Sequence, residues 1–356
     1  SRSQDRKPRK APLERRQAAA SHRGMKNLRA PDYVRGAAAA LVFAVLTAPV
    51  ALADKDNLRF SVPVACTLGE TCFLQALIDH DPSEESRDFA CGTLTRDGHQ
   101  GSDFALQDLA AMRAGVEVLA AASGTVTAIR DRLPDINAND PDADFGEEFC
   151  GNAVRINHGG GWATLYCHLK RGSVRVAPGM RVDRGAPVGE IGLSGSTTFP
   201  HLHFSIFKDD VELDPFAAGI SRCGEPGATL WEDPVPLQQA GFLKAGFADH
   251  VPAFDDIDEG LRNADKLSAT GPIVVWVSGF GAREGDEFAL TIWHGEDVFF
   301  ERIETLDRRQ ETWQRYLGRR AGADPWPSGT YRAEVTLKRD GTLLAATELT
   351  ATIPAS

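Results

Sequence analysis

Residues 201–207 read HLHFSIF, and this stretch decides the fold. Side chains alternate between the two faces of an extended strand, so His201 and His203 point one way while Leu202 and Phe204 point into a core. A strand that is apolar on one face and polar on the other belongs to an antiparallel sheet. The same period runs through GTVTAIR (124–130), NAVRINH (152–158) and WATLYCHL (162–169). Val182-Asp183-Arg184-Gly185 and Gly189-Glu190-Ile191-Gly192 punctuate further short strands. Short alternating runs separated by glycine turns predict one antiparallel sheet over residues 98–217.

Beyond that sheet, Pro226, Pro234 and Pro236 and a lack of strand signals mark 218–254 as a linker. Residues 255–354 are rich in strands again: PIVVWVSGF (272–280), EFALTIWH (287–294), VFFERIET (298–305), GTYRAEVTLK (329–338) and TLLAATELTATI (342–353). So many strands in about 100 residues suggest a small β-sandwich. Between them, the polar run Asp307–Arg320 reads as a helix or a long crossover. The fold class expected is therefore all-β dominated, an antiparallel sheet domain followed by a smaller sandwich.

Residues 54–97 are irregular and hold three of the six cysteines, Cys66, Cys72 and Cys91; the others are Cys150, Cys167 and Cys223. Residues 36–53, GAAAALVFAVLTAPVALA, carry no charge and end on the small-x-small pattern Ala51-Leu52-Ala53. Behind a basic stretch this reads as an export signal over 1–53, with Met25 a natural start for it. An even cysteine count in an exported chain implies disulfides, with Cys66–Cys72 closing a small local loop. After residue 53 the chain holds 28 Lys/Arg against 47 Asp/Glu. That acidity argues against nucleic acid as a partner, since polyanions need a basic footprint.

Chemistry concentrates in three contexts. In GHQGSDFAL (98–106), His99 and Asp103 stand four apart around glycine turns. His201 and His203 share a strand face, where two imidazoles on an otherwise apolar strand need partners. In TLYCHL (164–169), alternation puts Thr164, Tyr166 and His168 on one face and Leu165, Cys167 and Leu169 on the other. Two histidines and one carboxylate make a zinc site of the catalytic kind, with a position left for water. That accounts for His99, Asp103 and one of the paired histidines. The two remaining histidines suit proton transfer and oxyanion stabilisation beside it. His158, before three glycines, reads as a turn residue. The tryptophans of the C-terminal region read as core.

Together these segments resemble the lysostaphin-type zinc metallopeptidases. The resemblance covers residues 93–216 and rests on GHQGSDFAL, ASGTV (122–126), GNAVRINHGGGWATLYCHL and VAPGMRVDRGAPVGEIGLSGSTTFPHLHF. It implies a zinc metallopeptidase domain over 98–217 with the duplicated hybrid motif fold. It implies Zn²⁺ on His99, Asp103 and His203, with His168 and His201 catalytic. It implies peptide bonds of peptidoglycan as substrate. Two departures stand out. Phe199 replaces a small residue before Pro200-His201, and an acidic insertion spans Asp131–Phe149. A calcium loop does not fit its spacing, so it reads as a solvated or substrate-facing loop. The competing readings are a silent peptidoglycan binder that activates another wall hydrolase and a peptidase for a Gly-rich protein. The sandwich carries no catalytic set, so its roles are targeting, access control or docking of a regulatory protein.

Overall fold

The computed structural model describes residues 58–355. The expected signal and its start at Met25 lie outside the described residues. Within them the chain is nearly all β, in antiparallel sheets. The first sheet follows the order β1 (Cys72–Ala76), β2 (Ser102–Leu106), β9 (His201–Lys208), β6 (Trp162–Leu169), β5 (Asn152–Gly159), β4 (Gly124–Arg130) and β7 (Arg181–Val182). A short β10 (Val211–Leu213) also pairs with β9, and β3 (Glu117–Leu119) pairs with β8 (Pro187–Glu190). One face of this sheet is packed dry. Phe104, Tyr166, Leu202, Phe204 and Ile206 are fully buried there, the outcome that the alternation of β9 requires. Between β2 and β3, Asp108 caps the short helix α1 (Leu109–Ala114) by accepting a hydrogen bond from Ala111 N–H at 2.8 Å.

The second half holds two sheets around one core. β11 (Gly241–Ala248), β12 (Ile273–Ala282) and β15 (Gln310–Arg319) form a three-stranded sheet. β14 (Asp297–Thr305), β13 (Glu287–His294), β16 (Gly329–Arg339) and β17 (Thr342–Ile353) form a four-stranded one. Phe247, Val275 and Trp313 from the first meet Phe288, Ile292, Tyr331 and Val335 from the second. The short helix α2 (Phe254–Asp258) precedes β12.

Two expectations are corrected. Residues 218–254 are not all linker, because β11 lies inside them and pairs along its length with β12. Its GFLKAGFA is poor in β-branched residues, and nearby prolines mask it. It forms because Gly246 leaves room for the Trp276 ring beside it and Phe247 reaches the core. The polar run 307–320 is neither helix nor crossover but the edge strand β15, paired with β12. Its alternation is weak because most of it is half-buried, with Trp313 alone fully buried.

The two halves pack directly on one another. Leu243 and Phe280, from β11 and β12, are buried in the core of the first sheet. The Phe280 ring lies 5.6 Å from that of Phe73 on β1. Lys244 pairs with the capping Asp108, and Arg113 meets Glu259 at 2.8 Å. Three disulfides, Cys66–Cys72, Cys91–Cys223 and Cys150–Cys167, use all the described cysteines. Among the described residues no helix is long and apolar enough to cross a membrane.

Phe280→Ala tests this packing. Removing a fully buried ring should cost about 3–5 kcal/mol. Urea unfolding should show one shifted transition rather than loss of the C-terminal sheets alone. A native midpoint would mean that the halves do not share this contact.

Candidate metal centre

The centre sits on the second face of the first sheet, where β2, β9 and β6 run side by side. Register puts Asp103 opposite His203, and His203 opposite Cys167. Directly opposed residues share a face, so Asp103 and His203 project together. His201, two residues earlier, projects beside them. His99 comes from the turn before β2, where its N–H bonds the Arg96 carbonyl. Gly101 lies between. Its φ of +129° suits glycine, and a Cβ there would lie 2.6 Å from the His203 ring. Glycine is therefore the residue that lets this ligand strand approach.

Asp103 is the hub. Its carboxylate is 2 % exposed. Oδ2 lies 3.0 Å from His99 Nε2 and 3.0 Å from an Arg96 nitrogen, and Oδ1 lies 2.8 Å from His203 Nδ1. His201 Nε2 is 3.6 Å from Oδ1. Burial opposes ionisation of this carboxyl, but His99, His201 and Arg96 overcome it and hold Asp103 well below the usual carboxylate range. Because burial keeps His99 neutral, the permanent guanidinium charge of Arg96 is the lasting part of that stabilisation.

The tautomers follow from the outer partners. His99 Nδ1 lies 2.6 Å from the Leu77 carbonyl, which only accepts, so Nδ1 carries the proton and Nε2 carries a lone pair. Burial lowers the His99 pKa to about 4, so at neutral pH that lone pair faces a carboxylate oxygen. Such a cluster calls for a cation between its members. His99, Asp103 and His203 form the one group of three potential metal ligands found among the described residues, with donor atoms within 4.8 Å of one another. Two imidazole nitrogens and one carboxylate oxygen fit zinc. Ser205 Oγ, 3.4 Å from His203 Nε2, would accept a hydrogen bond from that nitrogen if Nδ1 held a metal.

His168 reaches the site by a route that alternation does not give. Tyr166 is in the main core and Cys167 is on the face of His203, so strict alternation would bury His168 beside Tyr166. Instead His168 has φ +61°, which breaks the period. Its ring lies 4.8 Å from that of His201 and 6.0 Å from that of His203. Two expectations are therefore corrected: Tyr166 and His168 do not share a face, and Leu169 joins the main core with Tyr166. The left-handed residue is clamped on every side. Its N–H bonds the Cys150 carbonyl at 2.8 Å, its carbonyl accepts from Gly192 at 3.0 Å, and its Nδ1 lies 2.8 Å from the Ser194 carbonyl. The Cys150–Cys167 disulfide ties down the residue before it.

His201 Nδ1 lies 2.8 Å from the Phe199 carbonyl and 3.1 Å from Thr197 Oγ1. Its Nε2 is buried without a hydrogen-bond partner. Burial depresses both rings, His201 below its ordinary value and His168 well below it. Both therefore stand neutral at neutral pH with Nε2 as an acceptor.

Arg96, Thr197 and the carbonyls of Leu77 and Ser194 escaped the sequence reading, since no residue type or spacing marks a backbone acceptor and Arg96 and Thr197 stand outside the histidine motifs. His158 lies apart from the centre, with Nδ1 2.9 Å from the Ser123 carbonyl and Nε2 2.9 Å from Thr164 Oγ1. In the acidic insertion, Asp131 and Asp135 serve the backbone, accepting from Gly172 N–H at 2.7 Å and Leu193 N–H at 2.8 Å.

Residues 97–215, about a third of the chain, match the model of Peptidase family M23 and form a domain of that family, which includes lysostaphin. A peptidoglycan DD-endopeptidase of Vibrio cholerae, ShyA, is 33% identical over 122 residues, which are 34% of this chain and 23% of that protein. The cell division protein DipM of Caulobacter vibrioides is 28% identical over 92 residues, 26% of this chain and 12% of that one. The chain thus spans less than a quarter of either relative. Among solved structures, the catalytic domain of lysostaphin from Staphylococcus simulans is 25% identical with a TM-score of 0.25, over 34% of this chain and 79% of that one.

The buried imidazoles set the acid response of the metal-free protein. Unfolded histidines take up protons near pH 6.5, whereas folded His99 resists until about 4. Stability is full above 6.5 and falls as the pH drops towards 4, with His168 and His201 acting in the same direction. At roughly 1.4 kcal/mol per pKa unit, His99 alone contributes about 3 kcal/mol. Urea unfolding of chelator-treated protein at pH 7.5 and 4.5 should show this loss, and His99→Gln should reduce it. An equal loss in that variant would assign the acid response to other groups.

Proposed function

We propose that this M23 domain is a zinc-dependent endopeptidase that hydrolyses peptide bonds of peptidoglycan, in a protein exported by the signal read over 36–53. The observation that carries the reading is the convergence of His99, Asp103 and His203 on one point, with His168 and His201 beside them. The relative named as a peptidoglycan DD-endopeptidase supports the substrate class.

In this reading His99 Nε2, His203 Nδ1 and an Asp103 oxygen hold the ion. Zinc so bound supplies Lewis-acid chemistry for water and for the scissile carbonyl. The remaining work belongs to the chain. The carbonyls of Ser194 and Phe199 commit the Nδ1 protons of His168 and His201, so each ring offers Nε2. One Nε2 takes the proton of the attacking water, and that ring, now protonated, donates a hydrogen bond to the carbonyl oxygen as negative charge develops, while the other ring stands beside it as a neutral acceptor. The low basicity imposed by burial makes each ring return its proton readily, which suits delivery to the leaving amine. Phe199 is half-buried against the main core, and its carbonyl holds the Nδ1 proton of His201.

Metal analysis and digestion of purified sacculi test the proposal together. The native chain should hold one zinc, and Asp103→Ala should lose it. His168→Ala and His201→Ala should keep zinc and fold, yet lose about 100-fold or more in rate. Near-native turnover in both variants would remove them from catalysis. Zinc without digestion by the native chain would leave a binding role.

A further inference from the structure

We propose that Arg309, at the entrance to β15 in the C-terminal sheets, is a positioning residue for the metal centre. The inference rests on the zinc reading above and concerns how a ligand is held.

The Leu77 carbonyl that fixes the tautomer of His99 accepts two hydrogen bonds. One comes from His99 Nδ1 at 2.6 Å and the other from Thr95 Oγ1 at 2.7 Å. Thr95 is 1 % exposed, so its hydroxyl has no water to exchange with. The carbonyl of the same Thr95 accepts from the Arg309 guanidinium, whose other arm donates to Ser86 Oγ at 2.8 Å. A continuous line therefore runs from Arg309 through Thr95 and Leu77 to His99.

A second line runs alongside. Glu311, two residues on, lies 3.9 Å from Arg96, which is 3.0 Å from Asp103 Oδ2. Arg283, at the end of the neighbouring β12, donates to Thr93 Oγ1 at 2.6 Å. The segment 93–96, which enters the ligand turn, is thus gripped from the C-terminal sheets at several points. It has no regular secondary structure of its own, so these contacts take the place of a ladder. An unsupported loop would let the Leu77–Thr95 pair drift, and His99 would lose the carbonyl that aims its Nε2. The C-terminal sheets then belong to the metal site's scaffold rather than being only a tethered module.

Loss of an outer partner of a metal-binding histidine typically weakens metal affinity about 10–100-fold. The test measures zinc affinity of the full chain by competition with a chromogenic chelator, beside near-UV circular dichroism and thermal melting. Thr95→Val removes the hydroxyl on Leu77 and should weaken zinc within that range. Arg309→Ala, one link further out, should weaken it about tenfold, and Arg309→Lys should recover part of the loss. Thr95→Val leaves the interface with Arg309 in place, so the line remains testable if Arg309→Ala fails to fold. A lower melting temperature with zinc affinity within about twofold of native in the folded variants would overturn the inference, showing a contact that stabilises without positioning. A native chain that binds no zinc would instead overturn the zinc reading and this inference with it.

Discussion

The Asp103 carboxylate, ionised and nearly sealed from water, is the constraint around which the rest is arranged. A buried charge must be paired or it will not persist, and here the partners come from three parts of the chain. The turn before β2 brings His99, β9 brings His201 and His203, and the loop 93–96 brings Arg96. None of these segments could shift alone without stranding the charge. The same requirement explains why the central strands are packed so tightly on their other face. A dry core under β2, β9 and β6 fixes the register that sets Asp103 opposite His203.

His168 illustrates how a ring is brought to the candidate centre by breaking a regular pattern. A left-handed backbone at a residue with a side chain is uncommon and persists when the surroundings over-determine it. Two backbone hydrogen bonds, one ring hydrogen bond and the adjacent Cys150–Cys167 disulfide provide that over-determination. The disulfide closes the acidic insertion onto β6, so the insertion's end is part of what holds the ring. Ser194 joins the same cluster, its hydroxyl donating to the Leu169 carbonyl at 2.7 Å while its own carbonyl faces His168.

The C-terminal sheets enter this arrangement from outside. They insert Leu243 and Phe280 into the first core and place arginines against the irregular segment that leads to His99. In an acidic chain with many exposed carboxylates, arginine is expected to form surface pairs of little energetic weight. Arg309 and Arg283 instead reach hydroxyl and carbonyl groups of a loop that has no ladder to satisfy them, which is where such donors matter most.

The sequence by itself determined the all-β class and most strand positions, and it singled out His99, Asp103, His168, His201 and His203 as candidate site residues, because alternation and ligand chemistry are local properties that survive in one dimension. It also carried the Cys66–Cys72 pair, whose short spacing closes a loop with little entropy to lose. The strand β11 was hidden, since its small residues are stabilised by Trp276 and Phe280 from its pairing partner β12 rather than by their own propensity. The edge strand β15 was hidden for a different reason, its polar residues being half-buried or exposed so that no apolar face alternates along it. Only the tertiary structure decided that His168 turns away from Tyr166, that Arg96 shares Asp103 with the histidines, and that Arg309 reaches the Leu77 line. These depend on left-handed geometry, on backbone carbonyls and on a loop-borne guanidinium, whose placement side-chain identity does not encode and which arises only when remote segments close upon one another.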